Sequence, residues 1–209
     1  MNTKEKPLEQ TLQESTDLHT WIFLRLDGVL FPKVRRLLVA TSSFDVVLDY
    51  FTGITASVEK RAYGSAFALV RSIFETFVRA VWLKDCATDE ELAAFERDEY
   101  GRNFDLILAK IEELDAFKSG TLSALKKQAW SAMNSYTHGG IHQVARRVKG
   151  NAIDSNYLDG EVIEVLRMGQ MFALLAFIQI VLVAGRKDLE QVGIQKLYEL
   201  DLFKKKESK

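Results

Sequence analysis

The chain carries an arginine and a glutamate one helical turn apart inside a long apolar stretch. Within Ala62–Leu83, AYGSAFALVRSIFETFVRAVWL, the only charged residues are Arg71, Glu75 and Arg79. At about 100° per residue, Arg71 and Glu75 share one face of a helix with Trp82 and other large apolar residues. Because charges are tolerated in an apolar interior only when they are paired and hydrogen-bonded, we expect this pair to be buried and to meet a polar group from elsewhere in the chain.

The Arg71–Glu75 pair has two interpretations. It is either a structural ion pair that fixes the packing of the helices, or a site in which Glu75 orients Arg71 toward an anionic ligand. The second interpretation rests on the guanidinium, a planar and permanently charged donor for phosphate or carboxylate oxygens. Arg79 is expected at the helix flank, where it reaches solvent.

A second group of polar side chains lies in Asn134–Arg147, NSYTHGGIHQVARR, around two consecutive glycines. Glycine lets a backbone approach a partner closely. His138 is either a general acid or base or a structural histidine bonded to Asn134 or to a carboxylate such as Glu75. The catalytic candidates are His138 and Arg71, and the ligand-binding candidates are Arg71, Glu75, Trp82, Asn134, Tyr136, His138, Gln143, Arg146 and Arg147.

Other site chemistries find little support in the sequence. His138 and His142 are four residues apart and could bind a metal from one face of a helix, but no third ligand is evident, so neither a metal nor a cofactor is predicted. Arg146 and Arg147 could contact phosphates or form a solvated face. The lone Cys86 is expected to pack as a small core residue. The sequence lacks a glycine-rich phosphate loop, a nucleophile elbow and paired zinc-ligand spacing.

The composition is that of one ordinary globular domain of 209 residues, with 47% hydrophobic and 27% charged residues. A net charge of -1 gives no global attraction to nucleic acid, although a local basic patch remains compatible with it. One cysteine excludes an intramolecular disulfide, and the start MNTKEKPLEQ lacks the apolar run of a signal peptide. Both observations lead us to expect a cytoplasmic protein.

The most apolar run, Met171–Ala184, raises the question of a membrane. It is shorter than the roughly 20 residues that span a bilayer, and Gln179 interrupts it. We therefore expect a buried helix and no membrane association, with a membrane segment as the alternative.

The apolar spacing predicts an all-α fold, an irregular multi-helix bundle in a single domain over residues 1–209, with disordered tails at 1–8 and 204–209. Only two prolines interrupt the chain, and no useful length alternates with the period of a strand. Gly53–Ser57 is either a short join or continuous helix, and 150–159 is expected to be a polar loop. The inner helices are expected at Ala62–Leu83 and Glu161–Ala184, and the others at Glu9–Asp27, Pro32–Gly53, Asp89–Glu99, Phe104–Phe117, Leu122–His138, Ile141–Lys149 and Asp188–Phe203.

Two of these segments resemble known proteins. Gly64–Leu83, GSAFALVRSIFETFVRAVWL, together with Tyr136–Arg147, YTHGGIHQVARR, resembles an uncharacterised family of bacterial helical proteins. More distantly, the chain is similar to the HEPN group (higher eukaryotes and prokaryotes nucleotide-binding). That resemblance implies a compact helical bundle. It also implies the metal-independent ribonuclease activity of many toxin and phage-defence members, which dimerise across the active site.

The sequence departs from the HEPN signature, in which an arginine and a polar residue precede a histidine by a few positions. His138 matches the histidine and Asn134 the polar position, but the window Ser131–Asn134 holds no arginine. Such catalysis needs a cation beside the histidine to stabilise charge developing on phosphorus. The cation would have to come from elsewhere in the fold, with Arg71 or Arg146 as candidates.

Two functional classes therefore remain open. The first is a non-enzymatic binding or regulatory module with an Arg/Glu/His pocket for a small anionic or nucleotide-like ligand. The second is a divergent HEPN-like ribonuclease. The missing arginine and the lack of excess basic charge favour the first class. A homodimer and an RNA or nucleotide ligand are the expected partners.

Overall fold

The computed structural model describes residues 7–99, 101 and 103–202, which form nine α-helices and a two-stranded sheet. The helices are α1 (Leu8–Leu26), α2 (Arg35–Glu59), α3 (Tyr63–Asp85), α4 (Asp89–Glu96), α5 (Phe104–Ile111), α6 (Thr121–Thr137), α7 (Ile141–Val144), α8 (Asp159–Val183) and α9 (Lys187–Glu199). A 3-10 turn spans Ala145–Arg147, and the strands are β1 (Val148–Lys149) and β2 (Ala152–Ile153). The all-α prediction is confirmed. Residues 1–6 and 204–209 of the predicted tails lie outside the described residues, whereas Pro7 is the N-cap of α1 and Leu8 belongs to that helix.

The core lies where α2, α3 and α8 meet. Helix α2 is therefore an inner helix in addition to the two predicted ones, α3 and α8. Aromatic rings connect them: Phe77 of α3 lies 5.9 Å from Phe44 of α2 and 5.4 Å from Phe172 of α8, measured between centroids. All three side chains are fully buried. Burial of such rings dominates core energetics, and α3 and α8 bury residues around most of their circumference because few of their residues are polar.

The possible join at Gly53–Ser57 is helical, and α2 continues unbroken to Glu59. Gly53 is a packing residue there, because a Cβ built on it would lie 3.0 Å from Leu69 Cδ1 of α3. The glycine thus lets two inner helices approach closely instead of ending one of them.

The predicted helix Phe104–Phe117 is too long, since α5 ends at Ile111. The next residue, Glu112, is the C-cap residue of α5 and binds the following helix. Glu112 accepts hydrogen bonds from Ser123 N at 2.8 Å and from Ser123 Oγ at 2.6 Å, in the first turn of α6. The first residues of a helix have unpaired N–H groups, and the N-cap residue Gly120 has no side chain to satisfy them. Glu112 takes that role from outside the helix.

The predicted helical segment Ile141–Lys149 is wrong at its end, and the predicted loop after it contains a strand. The chain leaves the 3-10 turn at Arg147 and forms a hairpin that pairs Val148 with Ile153 and Lys149 with Ala152. Gly150 adopts a φ of 60° at the tip, a conformation that two-residue hairpin turns require and glycine permits.

The remaining predicted ends are off by a few residues. A capping box between Thr88 and Glu91 starts α4 as expected, but the helix ends at Glu96 instead of Glu99. The last helix, α9, ends at Glu199, and its predicted end at Phe203 lies outside the described residues.

Two helices, α2 and α8, are long and apolar enough to cross a membrane by length and composition alone. This is weak evidence, since the core helix of a soluble protein passes the same test, and 72% of the apolar window of α8 is buried inside the protein. The run Met171–Ala184 lies largely within α8 and packs in the core, as expected.

Helix α9 approaches α8 most closely at Gly193, where a Cβ would lie 2.9 Å from Ile178 Cγ1 and 3.0 Å from the Phe177 ring. We predict that Gly193→Ala lowers the free energy of unfolding by about 1 kcal/mol, because overpacking costs about 1–3 kcal/mol and alanine regains up to about 1 kcal/mol of helix propensity. Urea denaturation measures the change. The control Gln191→Ala, on the exposed side of α9, should be neutral, and equal stability of both variants would contradict the close approach.

Candidate functional site

The Arg71–Glu75 pair forms on α3 as the spacing predicts. Arg71 Nε donates to Glu75 Oε1 at 2.6 Å, and Arg79 Nη2 lies 3.4 Å from the other carboxylate oxygen. The Arg71 and Glu75 side chains are 22% and 16% exposed, so the pair is half-buried where full burial was expected. Arg79 reaches solvent at the flank of α3 but also contacts Glu75. One carboxylate therefore faces two guanidinium groups, and the cluster keeps a positive charge.

His138 meets Arg71 across the interface between α3 and α6. Arg71 Nη1 lies 2.7 Å from His138 Nε2. Arg71, and neither Asn134 nor Glu75, is thus the partner of the ring. A guanidinium has donors only, so the contact is a hydrogen bond when Nε2 accepts, which assigns the ring proton to Nδ1. We call Arg71, Glu75 and His138 the Arg71 cluster.

The end of α6 places His138 beside Arg71. Thr137 Oγ1 donates to Ala68 O of α3 at 3.2 Å, which ties the last turn of α6 to the inner helix. Gly139 then adopts a φ of 65° and turns the chain away, so that His138 occupies the C-terminal cap. The predicted helix end at His138 is within one residue of the observed end at Thr137, whereas the contact of Thr137 had no sequence signal.

Sequence reasoning missed Trp130, two turns before His138 on α6. Arg71 Cζ lies 4.8 Å from the centroid of the Trp130 ring, and Lys126 Nζ lies 4.6 Å from it. Phe104 of α5 stacks on the ring at 5.4 Å with planes 13° apart. Cation–π contacts of this kind stabilise a partly desolvated guanidinium. The four-residue spacing of Trp130, Asn134 and His138 on α6 was a signal that could have found it.

Asn134 lies between Trp130 and His138 on α6. Its Oδ1 is buried, and no described residue hydrogen-bonds to it. Asn134 and Trp130 also line a groove of about 580 Å³ between α5 and α6, which carries Lys126 and Lys127 on its rim. We call this space the α5–α6 groove. Its lysines outnumber its one carboxylate, Asp105, which is bonded to Lys126 at 2.6 Å.

Four other predicted site residues lie away from the Arg71 cluster and bind other parts of the chain. Arg146 forms an ion pair with Glu161 of α8 and donates to Asn156 O at 3.2 Å, and the pair with Glu161 raises the arginine pKa. Gln143 Nε2 donates to Gly64 O at 3.3 Å. The buried Tyr136 ring packs 4.8 Å from Phe67. Arg147 is exposed and lies over Gly64, where a Cβ would be 2.7 Å from its Nη2.

Trp82, the remaining predicted residue, is fully buried in the core. His138 and His142 do not lie on one helix, because α6 ends at Thr137. The His142 ring instead packs 6.4 Å from the Tyr136 ring. Within residues 7–99, 101 and 103–202, no three His, Cys, Asp or Glu side chains are grouped to hold a metal ion. The Cys86 thiol donates to Lys110 O at 3.8 Å, and burial raises its pKa.

Comparison with known proteins finds one family. The model of a family of unknown function (DUF6988) matches residues 44–201, a range that contains the Arg71 cluster, the α5–α6 groove and the hairpin. Neither the curated proteins nor the solved structures include a match to this chain.

The contact between Arg71 and His138 predicts the position of a proton. We expect ¹⁵N NMR spectra, at a pH where the ring is neutral, to show His138 protonated on Nδ1 and not on Nε2, because Arg71 occupies Nε2 as a donor. The variant Arg71→Met keeps much of the apolar stem and removes the donor, so the proton should shift toward Nε2. His19, which packs on Phe23, is the internal control and should not respond. Protonation of His138 on Nε2 in the wild type would contradict the contact.

Proposed function

Since the chain belongs to this family of unknown function, its own residues must suggest an activity, and we propose that it binds a phosphate-bearing ligand at the Arg71 cluster. The observation that carries the proposal is the placement of the Arg71 guanidinium. It is anchored at Nε by Glu75 and at Nη1 by His138, and it remains 22% exposed. No described residue accepts a hydrogen bond from its Nη2.

This arrangement reduces the cost of binding an anion. A free arginine side chain loses rotamer freedom when it binds, at about 0.5–1.5 kcal/mol for a rotamer-rich side chain. In the cluster Glu75 and the Trp130 ring already hold Arg71 in place. His138 is exposed at the end of α6 and contacts the guanidinium at Nη1. The free Nη2 of Arg71 is a charged donor that matches the oxygens of a phosphate group.

Charge around the cluster favours the same ligand class. Arg71 and Arg79 share one carboxylate, so the cluster keeps a net positive charge. A positively charged surface raises the local concentration of anionic ligands. We propose a nucleotide-like ligand and a cytoplasmic location for the protein. A homodimer is a further part of this proposal.

The binding proposal predicts a measurable loss. Isothermal titration with pyrophosphate and with nucleoside monophosphates should show binding to the wild type and about 10-fold or greater weakening in Arg71→Met, because a hydrogen bond to a charged group contributes about 1.5–3 kcal/mol. Arg25→Met is the matched control, since Arg25 also stacks over a tryptophan, with its Cζ 4.1 Å from the Trp21 centroid. A wild type that binds none of these phosphates, or an Arg71→Met protein that binds as well, would refute the proposal.

A second candidate function is metal-independent ribonuclease activity, as the similarity to the HEPN group suggests. The observation that favours it is the 2.7 Å contact between Arg71 and His138. In this candidate, Arg71 of α3 would take the role of the cation that Ser131–Asn134 lacks. A phosphate that binds Arg71 would compete for Nη1 and release Nε2 as a base for the ribose 2′-hydroxyl. The 2′-oxygen would then bond to phosphorus as the bond from phosphorus to the 5′-oxygen breaks. His138 would return the proton to the leaving 5′-oxygen, giving a 2′,3′-cyclic phosphate and a 5′-hydroxyl.

The ribonuclease candidate is tested with RNA in EDTA. We expect His138→Ala and Arg71→Met to lose cleavage by about 100-fold or more, the range in which general acid–base catalysis contributes. His142→Ala is the control, because that ring packs against Tyr136 and lies away from the cluster. Absence of cleavage by a folded wild type would eliminate this candidate while leaving the binding proposal to its own titration.

A further inference from the structure

Arg147 is an arginine whose charge no described residue neutralises. It is the last residue of the 3-10 turn, and it is exposed. Its neighbour Arg146 is paired with Glu161, whereas the Arg147 side chain forms no ion pair or hydrogen bond with a described residue. Asp154 lies opposite Arg147 in the hairpin, where its backbone N–H donates to Arg147 O at 3.0 Å. The Asp154 carboxylate accepts from Ser155 N at 2.7 Å instead of pairing with the guanidinium.

The guanidinium of Arg147 lies over the first turn of α3. A Cβ built on Gly64 would be 2.7 Å from Arg147 Nη2. The same Cβ would be 3.1 Å from Tyr157 Oη and 3.3 Å from Gln143 Nε2, so the glycine leaves the space in which these polar groups meet. Gln143 Nε2 already donates to Gly64 O. The first turn of a helix is positively polarised, so α3 does not stabilise a cation at this place.

Arg147 and Arg71 lie on the same side of α3. Gly64, under Arg147, and Arg71 are seven residues apart in this helix, which places them about 20° apart around the axis and about 10 Å apart along it. The end of α6 contacts α3 between them, where Thr137 donates to Ala68 O. Two guanidinium groups therefore reach the surface along one line on α3, and both have donors that no described residue occupies.

We propose that the ligand of the Arg71 cluster carries a second phosphate group, which Arg147 binds. This inference rests on the proposed function, in which Arg71 binds the first phosphate. A hydrogen bond spans about 2.9 Å, so one phosphate group does not bridge positions about 10 Å apart. Two phosphates on opposite sides of a ribose fit this separation better than a pyrophosphate, in which both phosphorus atoms share an oxygen. The ligand class is therefore a nucleoside 3′,5′-bisphosphate, with one guanidinium for each phosphate.

Isothermal titration with adenosine 3′,5′-bisphosphate and with the 3′- and 5′-monophosphates of adenosine, at one ionic strength, tests the proposal. We expect the wild type to bind the bisphosphate about 10-fold or more tightly than either monophosphate, because a hydrogen bond to a charged group contributes about 1.5–3 kcal/mol. This gain should disappear in Arg147→Met. Lys149→Met is the matched control, since it removes the same charge from an exposed residue of the same hairpin and should keep the gain.

A second variant moves the Arg147 charge without removing it. In Gly64→Ala the new Cβ would displace Arg147 Nη2, the flexible end of that side chain, so the gain should again disappear, and circular dichroism checks the fold. A gain that persists in Arg147→Met, or an equal loss in Lys149→Met, would overturn the second phosphate site. A wild type that binds the monophosphates through Arg71 but gains nothing from the bisphosphate would overturn this inference and leave the proposed function standing. A wild type that binds none of the three would overturn both.

Discussion

The charge on Arg71 is the constraint around which the outer helices are arranged. Helix α3 is apolar over most of its length, and a guanidinium on its face must be satisfied by partners that the fold brings to it. Glu75 comes from the same helix, one turn away. The other two partners, Trp130 and His138, come from α6, and their separation of two turns lets both contact one arginine. The position of α6 along α3 is thus fixed together with the contacts that Trp130 and His138 make to the Arg71 guanidinium.

Helix α6 consequently has two different sides. Toward α5 it presents Trp130 and Asn134 to a polar groove, and toward α8 it presents Met133 and Tyr136 to an apolar pocket. Few of its side chains are buried, so its own apolar surface holds it only in part. The hydrogen bonds at its two ends compensate, from Ser123 to Glu112 and from Thr137 to the backbone of α3. A helix fixed at its ends can leave space along both of its sides.

Sequence reasoning succeeded where the interaction was local. Arg71 and Glu75 are four residues apart, so helical periodicity alone brings them together. The Gly139–Gly140 pair marks a helix end for an equally local reason. The long apolar runs of α3 and α8 identified the inner helices because such runs have no solvent-facing side.

The rest depended on contacts between residues distant in the chain. His138 was recognised as a candidate, but its partner Arg71 is 67 positions away. The expected partners were Asn134, which is near in the sequence, and the carboxylate of Glu75. Arg146 was grouped with the site by its position in the sequence, whereas Glu161 holds it elsewhere. The contact of Glu112, at the end of α5, with Ser123 of the next helix likewise joins residues 11 positions apart. The two-residue strands are too short for any periodicity to show.

The contact between Arg71 and His138 connects the two candidate functions of the Arg71 cluster. A proton on Nε2 would face the Arg71 guanidinium directly, and two donors at 2.7 Å cannot share a hydrogen bond. A phosphate oxygen placed between the two side chains would change this, because it can accept from both. An anion is therefore the partner that lets Arg71 and a protonated His138 occupy the same site. As a binding site, the cluster holds the ligand at the free Nη2 of Arg71 while His138 stays bonded to Nη1. As a ribonuclease, it would let the phosphate displace His138 from Nη1, so that His138 could move a proton from a neighbouring hydroxyl.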